Sequence, residues 1–351
     1  MTKRWVVFLI FLVVACTPLV QEVRPSIQEP AFQSLASGEA FAAADGRILP
    51  LRVWPAAGNP GPAHAVFLAL HGFNDYSNAF DAPGRWWAER GITTYAYDQR
   101  GFGATEEAGV WAGVEAMVAD LRTVIRLLRR RHPETPLYLI GESMGAAVIL
   151  VTLGDPLRPA GGGSGVAGVE GVEGVVLVAP AVWGRATLNP FYGVGLWAIA
   201  HTFPGWRPTG QSLARIASDN IDMLRAMGRD PLVIKKTRFD SVYGLFGLMD
   251  RAVEAAPRVE LPLLLLYGER DEIIPKGPTR RFACGLNGAH RAAMYPEGYH
   301  LLLRDLQAEV VWRDVLTWTT SREAPLPSGS ERSPGAIFAG GAGETVGTCK
   351  R

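Results

Sequence analysis

The chain has 351 residues, 48% of them hydrophobic and 20% charged, with a formal net charge of +1. This balance excludes a disordered chain and a strongly basic nucleic-acid surface, and the length suffices for a sizeable core. Fourteen of its 40 Gly lie in 154–174 and after 321, so they mark local segments within one globular unit that exceeds an average domain and reads as a core with an insertion.

Lys3 and Arg4 precede an apolar run of eleven residues, Trp5 to Ala15, too short for a bilayer core that takes roughly 20. Residues 1–15 therefore read as a signal peptide. The run ends Val13-Val14-Ala15-Cys16, which resembles the bacterial lipobox, so Cys16 is the expected lipidated residue; the alternative is an ordinary secretory peptide with an incidental cysteine. Several acyl chains on Cys16 hold a protein stably on a membrane, which predicts an exported, periplasm-facing lipoprotein of the cell envelope. Pro18, Pro25 and Pro30 make 16–34 a tether. Cys16, Cys284 and Cys349 show no metal-ligand spacing and no dense disulfide pattern, so neither a metal nor a cofactor is expected.

Arg47 to Trp54 and the continuous apolar run Ala65 to Leu70 predict two strands, the second buried on both faces and closed by His71-Gly72. A helix around Pro83 to Arg90 leads to a strand over Ile92 to Tyr97, which ends at Asp98-Gln99-Arg100-Gly101. Apolar residues from Val114 to Leu128 recur at spacings of three and four, one face of a long helix whose basic end, Arg129 to Arg131, suits a helix C-terminus. A strand over Leu137 to Ile140 and a helix over Ala146 to Leu153 follow. Gly161 to Gly174 predicts a flexible loop before a strand from Val175.

From Pro180 to Pro257 the alternation gives way to helical patterns with many aromatics, a cap over 181–257. A strand over Leu261 to Tyr267, a helix over Pro278 to Gly285, a strand over Ala292 to Tyr295 and a helix over Arg304 to Thr319 close the core. The expectation is an α/β fold with a mostly parallel, doubly wound sheet, its core spanning 35–180 and 258–320, followed by a disordered tail over 321–351.

Gly141-Glu142-Ser143-Met144-Gly145 matches G-x-S-x-G between a predicted strand and a predicted helix, the setting of a nucleophile elbow. A serine hydroxyl needs a general base and a carboxylate to orient it, in the chain order Ser, acid, His. His300 lies in a loop after the last strand, whereas His290 precedes that strand and His64, His132 and His201 occupy structural positions. Asp271 follows the strand ending at Tyr267 and is preferred over Glu269, Glu272 and Asp250. Backbone N–H groups of Met144 and Phe73 are the expected oxyanion donors. His71 reads as a loop brace.

His71-Gly72, Asp98-Gln99-Arg100-Gly101, Gly141 to Gly145, Tyr267-Gly268-Glu269-Arg270-Asp271 and Gly298 to Asp305 together resemble the monoacylglycerol lipase and lysophospholipase branch of the α/β-hydrolases. The resemblance covers about residues 35 to 320 and implies the α/β-hydrolase fold, a helical cap after the sixth core strand, and Ser143, Asp271 and His300 as triad. Asp230-Pro231-Leu232 is similar to a motif within such caps, while Ala146 departs from a frequent glycine. The cap carries nine Lys/Arg against six Asp/Glu with abundant aromatics, which suits an acyl chain; with the lipid anchor and the resemblance, this makes a lipid ester, monoacylglycerol or lysophospholipid, the expected substrate. Two rivals share this pattern: a peptidase of the serine aminopeptidase type, and a surface-anchored binding protein that keeps the fold without turnover. No nucleic-acid partner is expected.

Overall fold

The computed structural model describes residues 17–36, 38–57, 63–154, 169–208, 215–286 and 290–332. The expected signal peptide and Cys16 lie outside them, as do Cys349 and residues 155–168 of the Gly-rich segment.

Ten strands make one sheet: β1 (Ala31–Leu35), β2 (Gly38–Ala42), β3 (Ile48–Trp54), β4 (Ala65–Leu70), β5 (Ile92–Tyr97), β6 (Leu137–Glu142), β7 (Val172–Val178), β8 (Leu263–Gly268), β9 (His290–Tyr295) and β10 (Glu331–Arg332). Their order is β1-β2-β3-β5-β4-β6-β7-β8-β9-β10. The pairs from β5 through β9 are parallel, and the outer strands are antiparallel. Strands β4, β6 and β8 are buried along their whole length, which is why they read as unbroken apolar runs.

The core helices are α1 (Asp81–Ala88), α2 (Val114–Arg131) and α3 (Met144–Leu153), with α7 (Lys276–Gly285) and α8 (Ala308–Thr320) near the end. Helix α2 buries Met117, Val118, Leu121, Val124, Ile125 and Leu128, the stripe its spacing predicts. Helix α3 is buried on every side, packed between the sheet and the cap. Between β7 and β8 lie the cap helices α4 (Pro190–Thr202), α5 (Ile221–Arg229) and α6 (Phe239–Ala255); α6 packs on α3 and α4 packs on α6. The cap follows the seventh strand in chain order, the sixth once the edge strand β1 is set aside.

The Asp98-x-Arg100-Gly101 motif is structural. Arg100 reaches Asp120 of α2 at 2.5 and 2.7 Å and Asp45, in the turn before β3, at 2.6 and 3.0 Å. Asp98 accepts the Ser77 and Ala104 amides at 3.0 and 2.9 Å.

Three expectations change. Of the expected 16–34 tether, the described residues 17–34 are not free: Val20 bridges Trp111, the Gln21 amide donates to Trp111 O at 2.8 Å, the Ile27 and Gln28 amides donate to Ala44 O, and β1 starts at Ala31. The tail is ordered as far as Arg332: Leu326 is buried, the Met294 amide donates to Ser330 O, and Glu331 pairs with Arg291 at 2.7 Å beside β10. Strand β7 starts at Val172 and includes Gly174, because a Cβ there would lie 2.8 Å from the Trp318 ring.

Trp87 joins α1, the sheet and α8. It is fully buried, stands edge-on to Phe67 at 5.1 Å and donates Nε1–H to Trp312 O at 3.1 Å. Trp87→Ala should cost about 3–5 kcal/mol, seen in urea unfolding as a lower midpoint with an unchanged slope.

Candidate active site

The segments that carry the chemistry all follow the carboxyl ends of parallel strands: Gly72–Phe73 after β4, Ser143 after β6, Asp271 after β8 and His300 after β9. That edge is where α/β sheets place their sites.

Ser143 sits at φ 52 and ψ −110, a conformation costly for a residue with a Cβ. Its neighbours enforce it. A Cβ at Gly141 would lie 2.5 Å from the Ala146 backbone, and one at Gly145 would lie 2.2 Å from the Leu70 carbonyl oxygen. The turn is then fixed across the sheet, with the Ser143 amide donating to Val178 O at 2.9 Å and the Ala181 amide to Ser143 O at 3.0 Å.

The three expected triad residues meet. His300 Nε2 lies 3.0 Å from Ser143 Oγ, and His300 Nδ1 lies 2.8 Å from Asp271 Oδ2. The other oxygen, Asp271 Oδ1, accepts the Ile273 and Ile274 amides at 2.7 and 3.0 Å. The carboxylate is held by two donors while it receives Nδ1–H, which leaves Nε2 free of its proton and facing the hydroxyl. Burial works against a charged His300 imidazole, but Asp271 outweighs it and holds the pKa above the ordinary 6.5.

The loop after β4 reaches the elbow, since a Cβ on Gly72 would lie 3.4 Å from Ser143 Cβ. Met144 opens α3, where the first N–H groups have no carbonyl within the helix. Among the described residues neither the Phe73 nor the Met144 amide donates to a protein acceptor. His71 braces this loop, donating Nδ1–H to Gly72 O at 2.8 Å and accepting the Gln99 amide on Nε2 at 3.0 Å. Burial lowers its pKa from the ordinary 6.5.

The other candidates are engaged elsewhere. Asp250 pairs with Arg185, Glu269 with Lys276, and Glu272 accepts the Ile216 amide. His132 bonds Tyr95 at 2.8 Å, and His201 bonds Trp197 O at 2.7 Å.

Two supports were not singled out in the sequence. Arg304, its side chain 10% exposed, pairs with Asp75 at 2.7 Å and Glu142 at 2.9 Å, joining the loop after β4, the elbow and the loop after His300. Burial opposes its charge, and the two carboxylates more than compensate; burial also pushes Glu142 above the usual carboxylate range. The second support comes from the cap: Ala217 O accepts the Leu301 amide at 3.0 Å, and Ser218 Oγ donates to Asp305 at 2.6 Å. Asp305 in turn accepts the Tyr299 amide at 2.7 Å. Arg304 and Asp305 stand in the motif after His300, so their position was visible while their partners were not. Among the described residues no cluster of His, Cys, Asp and Glu could hold a metal ion.

The arrangement matches known proteins over most of the chain. Residues 61–307 match the family model described as serine aminopeptidase, S33. The chain is 27% identical to the monoglyceride lipase of Mus musculus over 297 residues, covering 82% of this chain and 91% of that protein. It is 24% identical to the monoacylglycerol lipase of Mycolicibacterium smegmatis over 301 residues, covering 82% and 98%. A solved structure of a soluble variant of monoglyceride lipase from Saccharomyces cerevisiae, in complex with a substrate analog, superposes with a TM-score of 0.66 at 18% identity, covering 87% of this chain and 98% of that one.

Arg304→Met would leave Glu142 and Asp75 buried without their cation and should cost about 3–5 kcal/mol at pH 7. A stranded carboxyl has its folded pKa raised above its unfolded value, so its penalty exists above the unfolded value and fades as pH falls toward it. The loss in urea unfolding should therefore be smaller at pH 5 than at pH 7.

Proposed function

The chain belongs to the serine aminopeptidase S33 family and has the α/β-hydrolase fold, and on that footing we propose that it cleaves carboxylic esters of lipids, monoacylglycerols or lysophospholipids, through an acyl-enzyme on Ser143. The observation that carries the reading is the hydrogen-bonded line from Ser143 Oγ through His300 to Asp271.

Ser143 Oγ attacks the ester carbonyl carbon as its proton passes to His300 Nε2, and Asp271 stabilises the imidazolium that forms. The carbonyl oxygen becomes an oxyanion received by the Phe73 and Met144 amides. Collapse breaks the bond to the alcohol, which takes the proton from His300 as it leaves. Water, deprotonated by His300, then attacks the acyl-enzyme, releasing the fatty acid and restoring Ser143. No step calls for a metal or a cofactor.

Choosing an ester over a peptide rests on the names of the relatives that match nearly end to end and on the aromatic stretch of the cap from Ala181 to Ser218, which has no Asp or Glu. Glu142, the carboxylate next to the nucleophile, is buried and pairs with Arg304 through Oε2, so it is not presented to solvent to receive a substrate's α-ammonium group. Comparing p-nitrophenyl acyl esters with aminoacyl anilides tests the choice: faster turnover of the anilides would overturn it in favour of the peptidase. We further infer that Cys16 carries the lipid of an exported envelope protein. Cys16→Ser should shift the protein to the soluble fraction, and a soluble wild type without lipid would refute this.

Ser143→Ala should lower kcat on a dissolved ester by on the order of 10⁶ and abolish labelling by a fluorophosphonate. A folded wild type that resists the probe would point to a binding protein. His300 must be neutral to accept the proton, and Asp271 holds its pKa above the ordinary 6.5. On acidification, kcat/KM should therefore fall through a pH above that value. Asp271→Asn should move this limb down and reduce kcat by about 10⁴, as a pH series would reveal.

A further inference from the structure

The loop after β4 carries the Phe73 amide, and the residue behind that amide has an uncommon backbone. Asn74 stands at φ 66, in the left-handed region that residues with a Cβ enter rarely, Asn more readily than most. Such a conformation persists where the surroundings determine it. The core holds the upstream side, where Gly72 O accepts His71 Nδ1–H at 2.8 Å and the Asp75 amide at 3.3 Å. Downstream, both hydrogen bonds that Asn74 makes among the described residues go to the cap. Its carbonyl accepts the Ile234 amide at 2.9 Å, and its Nδ2–H donates to Thr237 Oγ1 at 2.6 Å. Two residues on, the Tyr76 hydroxyl donates to Asp230 Oδ2 at 2.7 Å, while Asp230 Oδ1 accepts the Leu232 amide at 2.9 Å.

The same stretch of cap is fastened at its other end to the loop that carries His300. Ala217 O accepts the Leu301 amide, Ser218 Oγ donates to Asp305, and Asn220 Nδ2–H donates to Arg304 O. Between the two sets of bonds runs α5, which has no buried residue of its own. It lies beside a cavity of about 430 Å³ lined by Asp75, Tyr76, Met223, Met227, Asp230 and Arg304. A helix with so little packed surface is located by its ends. At the far end Asp230 serves both sides, its amide closing α5 on Ala226 O at 3.0 Å and its carboxylate receiving Tyr76. The helix is thus a strut, one end on the loop of the general base and the other on the loop of Phe73.

We propose that Thr237 and Asp230 are positioning residues of the oxyanion hole, acting through Asn74 and Tyr76 to hold the Phe73 amide where the oxyanion forms. A backbone donor stabilises an oxyanion only when it is aimed at about 3 Å from it, and deleting one such donor lowers kcat by roughly 10²–10³. Loosening the loop leaves the donor present and misplaces it, so the loss is smaller and falls on kcat, since the ground-state ester leans less on that bond. The proposal rests on acyl transfer at Ser143 for what the Phe73 amide receives.

Tyr76→Phe with Thr237→Val cuts both side-chain links with little change of volume, and Thr237→Ser keeps one of them. On dissolved p-nitrophenyl butyrate the double variant should lose about tenfold in kcat with KM within twofold. It should bind an alkyl trifluoromethyl ketone, whose adduct with Ser143 places an oxyanion in the hole, about tenfold more weakly. The acid limb of kcat/KM, which reports His300, should stay where the wild type has it. Thr237→Ser should remain within about twofold of the wild type, and should the double variant fail to fold, Thr237→Val against Thr237→Ser decides the same question. Unchanged kcat and ketone affinity, a change in KM alone, or a shifted acid limb overturns the proposal. A wild type that turns over aminoacyl anilides in place of esters ends the lipid-ester reading, and the same losses measured on the anilide then decide the positioning role. A wild type active on neither substrate refutes both.

Discussion

Everything at the site depends on how closely α3 approaches β4. Gly145 lies so near the Leu70 carbonyl that a Cβ would fall 2.2 Å from it, and Gly141 lies as tightly against Ala146. This contact forces the strand to turn into a helix within a single residue, and that residue is Ser143 at φ 52. The strain of such a residue is of order 1–3 kcal/mol and persists because bonds to Val178 and Ala181 hold the turn from the neighbouring strand. In return the hydroxyl stands clear of the backbone, and the helix N-terminus supplies an amide next to it.

With the nucleophile fixed by the sheet, the other residues must be brought to it by loops, and loops need fastening. Asp271 is fastened by the Ile273 and Ile274 amides. The His300 loop is drawn onto β8, where a Cβ at Gly268 would lie 2.4 Å from the Tyr299 carbonyl oxygen. Arg304 then links that loop to Glu142 and Asp75 in one buried cluster. A buried cation between two carboxylates brings little net stability over an apolar replacement. Its geometric effect is larger, because it sets three loops of the candidate site in one register.

Reading the sequence revealed what depends on periodicity or on rigid local motifs. The buried strands appear as apolar runs, α2 as a stripe of threes and fours, and the elbow as two glycines around a serine. The chain order Ser, acid, His selected Asp271 and His300, which do meet Ser143. What escaped was held by contacts without a sequence pattern. The N-terminal segment clings through backbone bonds to Trp111 and Ala44, which almost any side chains could accompany, so Pro18, Pro25 and Pro30 spoke only for a tether. Gly174 looked like part of a loose Gly tract, yet it lies in β7 because the Trp318 ring, far along the chain, occupies the space of a side chain. The residues after Ser321 owe their order to one buried leucine, Leu326, and to Arg291 pairing with Glu331.

The cap therefore has two physically different parts, although its sequence reads as one aromatic stretch. Residues 217–220 support the candidate site: Ala217 and Ser218 hold the loop that carries His300, and Asn220 donates to Arg304 O at 2.9 Å. These are small polar contacts, short in range, that fix where the His300 loop lies. Helix α4 shares none of them among the described residues and rests on α6 with its aromatics outward. A substitution in 217–220 acts on the position of His300, and thus on the rate with any substrate. A substitution on the outer face of α4 leaves the triad untouched and acts only where the molecule meets its surroundings.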